Sequence, residues 1–166
     1  MKSPRSGSAL LETAMWVPIL VLLLMGMVEL ARVSYTYFTL HKILYAIARG
    51  AGTLQGANFC DSANQAITDI KNFALQGAIE DTGTTLVPNL TADQIAIRIE
   101  RFNVDSDALE ECECSDTGCD TASGGTTPDF LVVSLPEGYS IRLIFPGFNT
   151  DPFLLRPQIR IPYGGT

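Results

Sequence analysis

A chain of 166 residues has room for one modest domain once a helix is set aside for a membrane. The net charge is −7 and is unevenly spread, because the first fifty residues are basic and the remainder is acidic. An acidic surface repels phosphate backbones, so we expect no nucleic-acid partner.

The first predicted element is a membrane-spanning helix. The sequence carries no charge from Thr13 to Val28, and flanking apolar residues extend the predicted span to about residues 10–31. At about 1.5 Å per residue, such a helix crosses a bilayer core of about 30 Å. Lys2 and Arg5 precede it, which predicts a cytoplasmic N-terminus and a head on the non-cytoplasmic side.

The helix is predicted to continue through residues 32–50, outside the membrane. Gly50 and Gly52 supply the stop. A cleaved secretory signal is the alternative, but no small-x-small cleavage site follows the apolar run. Pro18 is expected to kink the span or to break its hydrogen-bond ladder locally. The continuation repeats apolar or aromatic residues at helical spacing: Val33, Tyr37, Leu40, Ile43, Leu44 and Ile47.

Two residues at the start of the apolar run are unusual for a plain anchor. Gly7 precedes the run, and Glu12 lies at its edge, where an unpaired carboxylate is costly. A headgroup-level carboxylate, or an acid that complements the helix dipole, also accounts for Glu12.

This N-terminus resembles that of type IV prepilins, and more narrowly that of TadE-like pseudopilins. A basic leader, a glycine, a small residue and a glutamate five positions after the glycine precede an unbroken apolar helix. Thr13 replaces the aromatic residue that is usual after the glutamate. The family pattern is met, in order, by Gly7, Glu12, Ala14, Pro18, Gly26, Glu29 and Arg32.

The resemblance implies a processed subunit of a tight-adherence (Flp-type) pilus. Prepilin peptidase would cut after Gly7, which leaves Ser8 as the new N-terminal residue. Glu12 would then meet the ammonium of a neighbouring subunit, and Pro18 would give local flexibility where subunits slide past each other. Implied partners are other pilin subunits, the inner membrane, the peptidase and the pilus assembly platform. The implied location is the inner (cytoplasmic) membrane, single-pass with a periplasmic or extracellular head, and then the extracellular pilus.

Four cysteines predict one or two disulfides, which suits an exported domain of this size. A metal site is the alternative, but the cysteine spacing is not a standard zinc spacing, and His41 lies close to the membrane segment. The pairing stays open between these four candidates: Cys60, Cys112, Cys114 and Cys119.

The head is predicted to be α+β, with a short helix and an antiparallel sheet of three or four strands. The helix begins after a cap at Asp61 or Ser62, runs to about Ile79 and packs on the sheet. Strands are predicted over 94–104, 130–135 and 139–145, with a short fourth over 158–162. A tight turn over 136–138 joins the second and third strands as a hairpin. An acidic, cysteine-containing loop is expected over 105–129.

No catalytic motif is present, so we expect neither enzymatic activity nor a cofactor, and no metal site. The acidic run lacks the alternating pattern of a calcium loop. The apolar segment 145–165 is expected either to cover one sheet face or to offer a patch to a neighbouring subunit.

The predicted organisation is a basic leader over 1–7, a long helix over 8–50 and an exported head over 51–166. The resemblance implies cleavage of the leader. The predicted function is a structural pilin-like subunit or assembly factor that packs through its N-terminal helix. A monomeric, membrane-anchored module that binds a periplasmic or surface ligand is the alternative.

Overall fold

The computed structural model describes residues 6–55, 57–61, 64–77, 85–112, 125–145 and 148–164. It has one long helix, one short helix and an antiparallel sheet of four strands, which confirms the predicted α+β class. The predicted leader 1–7 lies outside the described residues except for Ser6 and Gly7.

The long helix α1 spans Ser6–Ala51 and continues through Pro18, where a local break was one of the two expectations. Its C-terminal half is amphipathic, because apolar side chains three or four residues apart share one helix face. Four of the predicted positions are buried by the head: Leu40, Ile43, Leu44 and Ile47. The helix ends as predicted at a glycine, since the amide of Gly52 bonds to the carbonyl of Ala48 at 2.8 Å.

The short helix α2 spans Gln65–Gln76 and packs against α1. The predicted cap is wrong, because Asn64 caps the helix by accepting a hydrogen bond from the amide of Ala66 at 3.1 Å. Leu75 of this helix is buried, whereas Phe73 is exposed. Gly77 ends the helix with a positive φ of 75°.

Lys71 ties α2 to the start of the sheet. Its ammonium donates a hydrogen bond to the carbonyl of Ile95 at 2.8 Å. Burial lowers the pKa of Lys71, and the nearby carboxylate of Asp93 opposes that shift.

The central sheet is formed by four strands: β1 (Ala96–Asn103), β2 (Ala108–Glu111), β3 (Phe130–Ser134) and β8 (Gln158–Pro162). Their order in the sheet is β2-β1-β3-β8, and every neighbouring pair is antiparallel. The strands predicted over 94–104, 130–135 and 158–162 are present. The first residues of the loop predicted over 105–129 instead form β2, which is fully exposed along the sheet edge.

The segment between β3 and β8, residues 136–157, is hereafter called the arm. The predicted hairpin between β3 and the next strand is wrong, because the arm pairs with itself instead of joining the sheet. Short strands need tertiary partners to choose their pairing, so local propensity did not reveal this arrangement. The arm contains β4 (Tyr139–Ile141) paired with β7 (Phe153–Leu155), and β5 (Ile144–Phe145) paired with β6 (Phe148–Asn149).

Two apolar clusters fix the direction of the sheet along α1. Leu131, at the start of β3, shares a cluster with Ala51 at the end of α1. Leu135, just after β3, shares the other cluster with Leu40, eleven residues earlier on the helix. The chain therefore leaves β3 toward the N-terminal half of α1, and the arm continues in that direction.

The far end of the sheet is closed against the end of α1. The amide of Gly164 donates to the carbonyl of Gly52 at 3.0 Å, and the hydroxyl of Tyr163 donates to the carbonyl of Leu54. Across the sheet surface, Arg160 pairs with Glu100 at 2.7 Å. These contacts hold β8 beside β3 at the edge of the sheet, where both strands contact α1.

Replacing Gly138 with alanine is expected to loosen the arm more than Gly77→Ala loosens the end of α2. Both glycines have positive φ values, of 78° and 75°, and share a cost of about 1–2 kcal/mol for a side chain there. A Cβ at Gly138 would also lie 3.1 Å from the carbonyl oxygen of Leu155, whereas nothing lies within 4 Å at Gly77. Amide hydrogen exchange of β4 and β7, compared between the Gly138→Ala and Gly77→Ala variants, measures how far the arm is loosened. Equal protection of these amides in the two variants would contradict the crowding argument.

Candidate functional site

The N-terminal half of α1 is the candidate functional surface, because the chain's own fold leaves it uncovered. The helix is long and apolar enough to cross a membrane. Only 6% of its most apolar stretch is buried. A core helix of a soluble domain would be covered, so this surface calls for lipid or another apolar partner.

The predicted processing and assembly residues lie at the start of this surface. Gly7 and Ser8 form part of the first turn of α1. Glu12 and Pro18 are both exposed, and they lie on either side of Trp16. Within the described residues, no basic group lies within ion-pair distance of Glu12. The exposed position of Glu12 makes its carboxylate accessible from outside the described part of the chain.

A second carboxylate, Glu29, lies at the other end of the apolar run and is buried. Its Oε2 lies 3.0 Å from Nη2 of Arg32, one turn later on the helix. The same nitrogen donates a hydrogen bond to the backbone carbonyl of Arg142 in the arm. Within the described part of the chain, Oε2 receives no hydrogen bond of its own. The carboxylate of Glu29 is thus covered, while the Arg32 side chain, which contacts the arm, stays 41% exposed.

Ile144 of the arm also contacts this level of α1. Together with four apolar helix residues and Glu29 it lines a groove of about 350 Å³. The side chain of Ile144 remains 63% exposed, so the groove is open on its outer side. The helix residues that line it are Val21, Leu24, Met25, Val28 and Glu29.

The cysteines lie in the head, far along the chain from this surface. Cys60 and Cys112 are both disulfide-bonded, and both pack against the cluster that contains Phe59 and Leu131. Cys114 and Cys119 lie outside the described residues, so the pairing stays a prediction. Cys60 and Cys112 therefore extend the apolar cluster that lies between β1, β3 and the end of α1.

The described part of the acidic run, residues 105–111, belongs to the hairpin formed by β1 and β2. Glu110 accepts hydrogen bonds from Asn103 at 2.7 Å and from Ser106 at 2.6 Å. These bonds, that from Asn103 first, lower the pKa of Glu110. Glu111 pairs with Arg98 at 2.9 Å. Across the described ranges, no group of three or more histidine, cysteine or acidic residues is placed to hold a metal ion.

A second groove, of about 520 Å³, lies between the C-terminal part of α1 and α2. Phe73 forms one apolar wall, and Arg49 and Asp69 lie at its margin. The helices approach closely beside it, since a Cβ on Gly50 would lie 3.0 Å from the side chain of Ile70. The groove contains no histidine or cysteine, and its chemistry suits an apolar contact.

An uncovered apolar N-terminal helix joined to an α+β head defines a membrane-anchored class of protein. More narrowly, a family model described as TadE-like protein matches residues 7–49, which is nearly all of α1. The match confirms the resemblance seen in the sequence and points to a protein associated with the tight-adherence pilus. No curated protein and no solved structure compared with the chain matches it significantly.

Sequence reasoning found Glu12 but missed the surroundings of Glu29. The sequence did contain a signal, because an acid in an apolar helix two residues before the predicted end of the span needs a partner. Arg32, three residues later, supplies that partner at the spacing of helical neighbours. The contact with Arg142 joins residues 110 positions apart, and no local pattern predicts it.

Proposed function

We propose that this chain is a structural subunit or assembly factor of a tight-adherence pilus, and that it acts by packing and not by catalysis. The observation that carries the proposal is the division of α1. Its C-terminal half holds the head through a buried apolar face, while its N-terminal half presents an uncovered apolar surface. The family match over residues 7–49 supports the same conclusion.

The proposed membrane arrangement places the N-terminus in the cytoplasm and the head on the periplasmic or extracellular side. Lys2 and Arg5 support this orientation through the positive-inside rule. The disulfide-bonded state of Cys60 and Cys112 suits an oxidising compartment. After assembly the helix would leave the inner membrane for the core of a filament.

The proposed processing step removes residues 1–7 by cleavage after Gly7. The new ammonium on Ser8 would pair with Glu12 of a neighbouring subunit, in surroundings from which water is excluded. A charge-assisted hydrogen bond of this kind is strong where water is excluded, because the local dielectric constant is low. It would also fix the axial register between neighbouring helices. Pro18, one and a half turns further on, would allow the helix to adjust where it slides past its neighbours.

Mass spectrometry of the mature N-terminus tests this proposal most directly. We expect the protein recovered from the sheared pilus fraction to begin at Ser8, and Gly7→Val to prevent both cleavage and recovery there. Gly26→Val is the matched control for cleavage, because it adds the same side chain to α1 away from the cut, where a Cβ meets nothing within 4 Å. An intact Met1 on assembled wild-type protein would refute processing, and absence from pili would refute the role of a pilus subunit.

The second candidate function is a monomeric, membrane-anchored module that binds a ligand outside the cell or in the periplasm. The groove between α1 and α2 favours it, since Phe73 leaves an apolar wall open to solvent. The same fractionation separates the two candidates. A ligand-binding module stays in the membrane fraction and never enters the sheared pili.

A further inference from the structure

The arm reaches a level of α1 that the apolar sequence places inside a bilayer. Ile144 shares a groove with Val21 and Val28, and the carbonyl of Arg142 accepts a hydrogen bond from Arg32. The predicted span covers about residues 10–31, so the groove falls in its second half and the Arg32 contact lies just beyond its end. The arm is part of the head, yet its described end lies beside the membrane-spanning helix.

The depth of this contact follows from helix geometry. Val21 precedes Arg32 by eleven residues, which corresponds to about 16 Å along a helix that rises about 1.5 Å per residue. Since half of the hydrocarbon core is about 15 Å thick, the groove runs from the membrane surface toward the bilayer centre. An element that lies against it on the head's side of the membrane therefore meets acyl chains.

The side chains of the arm suit that position. Ile144 and Leu154 are 63% and 49% exposed, so both keep apolar surface open to their surroundings. Arg142 is exposed close to Ile144, a position that suits the phosphate level of a bilayer. The arm carries two arginines and two acids, Glu137 and Asp151, so it is neutral within an acidic chain. A neutral segment approaches an anionic membrane without the repulsion that the rest of the head would meet.

We propose that the arm inserts Ile144 into the lipid leaflet on the head's side of the membrane. The lipid covers the open side of the groove, and the arm holds Arg32, the partner of the buried Glu29. This inference rests on the part of the proposed function that places α1 in a membrane. It adds a second membrane contact, made by the head, which limits rotation and tilt of the head about the single helix.

Depth-dependent quenching of tryptophan fluorescence tests the proposal in vesicles of phosphatidylcholine brominated along its acyl chains. The chain has one tryptophan, Trp16, which reports insertion of α1 in the wild-type protein. Ile144→Trp in a Trp16→Phe background reports the arm. Val104→Trp in the same background is the matched control, because Val104 is 81% exposed at the far end of the sheet.

We expect strong quenching of Trp16 and of the tryptophan at position 144, and little loss of intensity at position 104. Quenching at 144 no greater than at 104, with Trp16 quenched, would overturn the arm's insertion and leave the anchored helix intact. Blue-shifted but unquenched emission at 144 would also overturn it, since a second copy of the chain would then cover the groove. An unquenched Trp16 would instead remove the membrane anchoring on which both proposals depend.

Discussion

Leu44→Ala is expected to lower the free energy of unfolding of the head by about 3–5 kcal/mol, the usual range for removing a well-packed leucine. Leu44 is 1% exposed and lies in the cluster that joins α1 to β3 and β8. The same apolar face provides most of the contact between helix and head, so the cavity falls where the two are joined. Since a domain of this size is stable by about 5–15 kcal/mol, much of the total would be lost.

Tyr45→Ala is the matched control for this prediction. Tyr45 is the next residue along the same helix, is 51% exposed and faces away from the head, so we expect a loss below about 1 kcal/mol. Urea unfolding of the intact, detergent-solubilised protein, followed by near-ultraviolet circular dichroism, measures both variants. Similar midpoints for the two variants would mean that the head does not depend on this face of α1.

Glu12→Ala is expected to remove the protein from the pilus fraction while leaving its level in the membrane unchanged. In the proposed filament the carboxylate meets an ammonium about 4 Å away, worth on the order of 4 kcal/mol at an effective dielectric constant near 20. A loss of that size weakens association by about three orders of magnitude. Glu12 makes no ion pair within the described residues, so its removal should not disturb the fold.

Glu12→Gln separates charge from size in the same experiment. It keeps the length and a hydrogen-bonding oxygen of the side chain but removes the negative charge, so we expect it to fail as Glu12→Ala does. Immunoblots of sheared pili and of membranes, together with the mass of the N-terminus, measure assembly and processing separately. Normal incorporation of either variant would refute the role proposed for Glu12. Uncut protein in both would instead assign that residue to recognition by the peptidase.

Much of the fold was predictable because its main elements have strong periodicity. The amphipathic half of α1 and the isoleucines of β1 each bury one side at the expected spacing. Ile95 and Ile99 are buried, and Ile97 is partly buried against both clusters. Patterns of this kind survive folding because a misplaced register would expose a whole apolar face.

The arm and β2 were not predictable for the opposite reason. β2 is a polar, fully exposed edge strand, and only its pairing with β1 defines it. The strands of the arm have two or three residues each, too few to express a period. Their pairing depends on contacts with α1, made by Arg142 and Ile144, which lie more than a hundred residues from their partners.

The residues of the candidate site also differ in how far the sequence alone indicates them. The role of Glu12 stays a prediction, and it was accessible to sequence reasoning because the distance from Gly7 is a local pattern within the matched residues 7–49. The buried state of Glu29 was not, since it depends on where the arm lies. Asn64 illustrates a smaller case, because Asp61, Ser62 and Asn64 are all chemically able to cap a helix, and only the path of the chain selects one.

The packing of β3 and β8 on α1 has a mechanical consequence. A pull along α1 against the head is resisted by the apolar clusters that join the helix to both strands. The contact between Gly164 and Gly52 closes this connection at the far end. A subunit held by its helix while its head meets drag would therefore resist tension through the sheet and the apolar face of the helix acting together, without relying on a single linker.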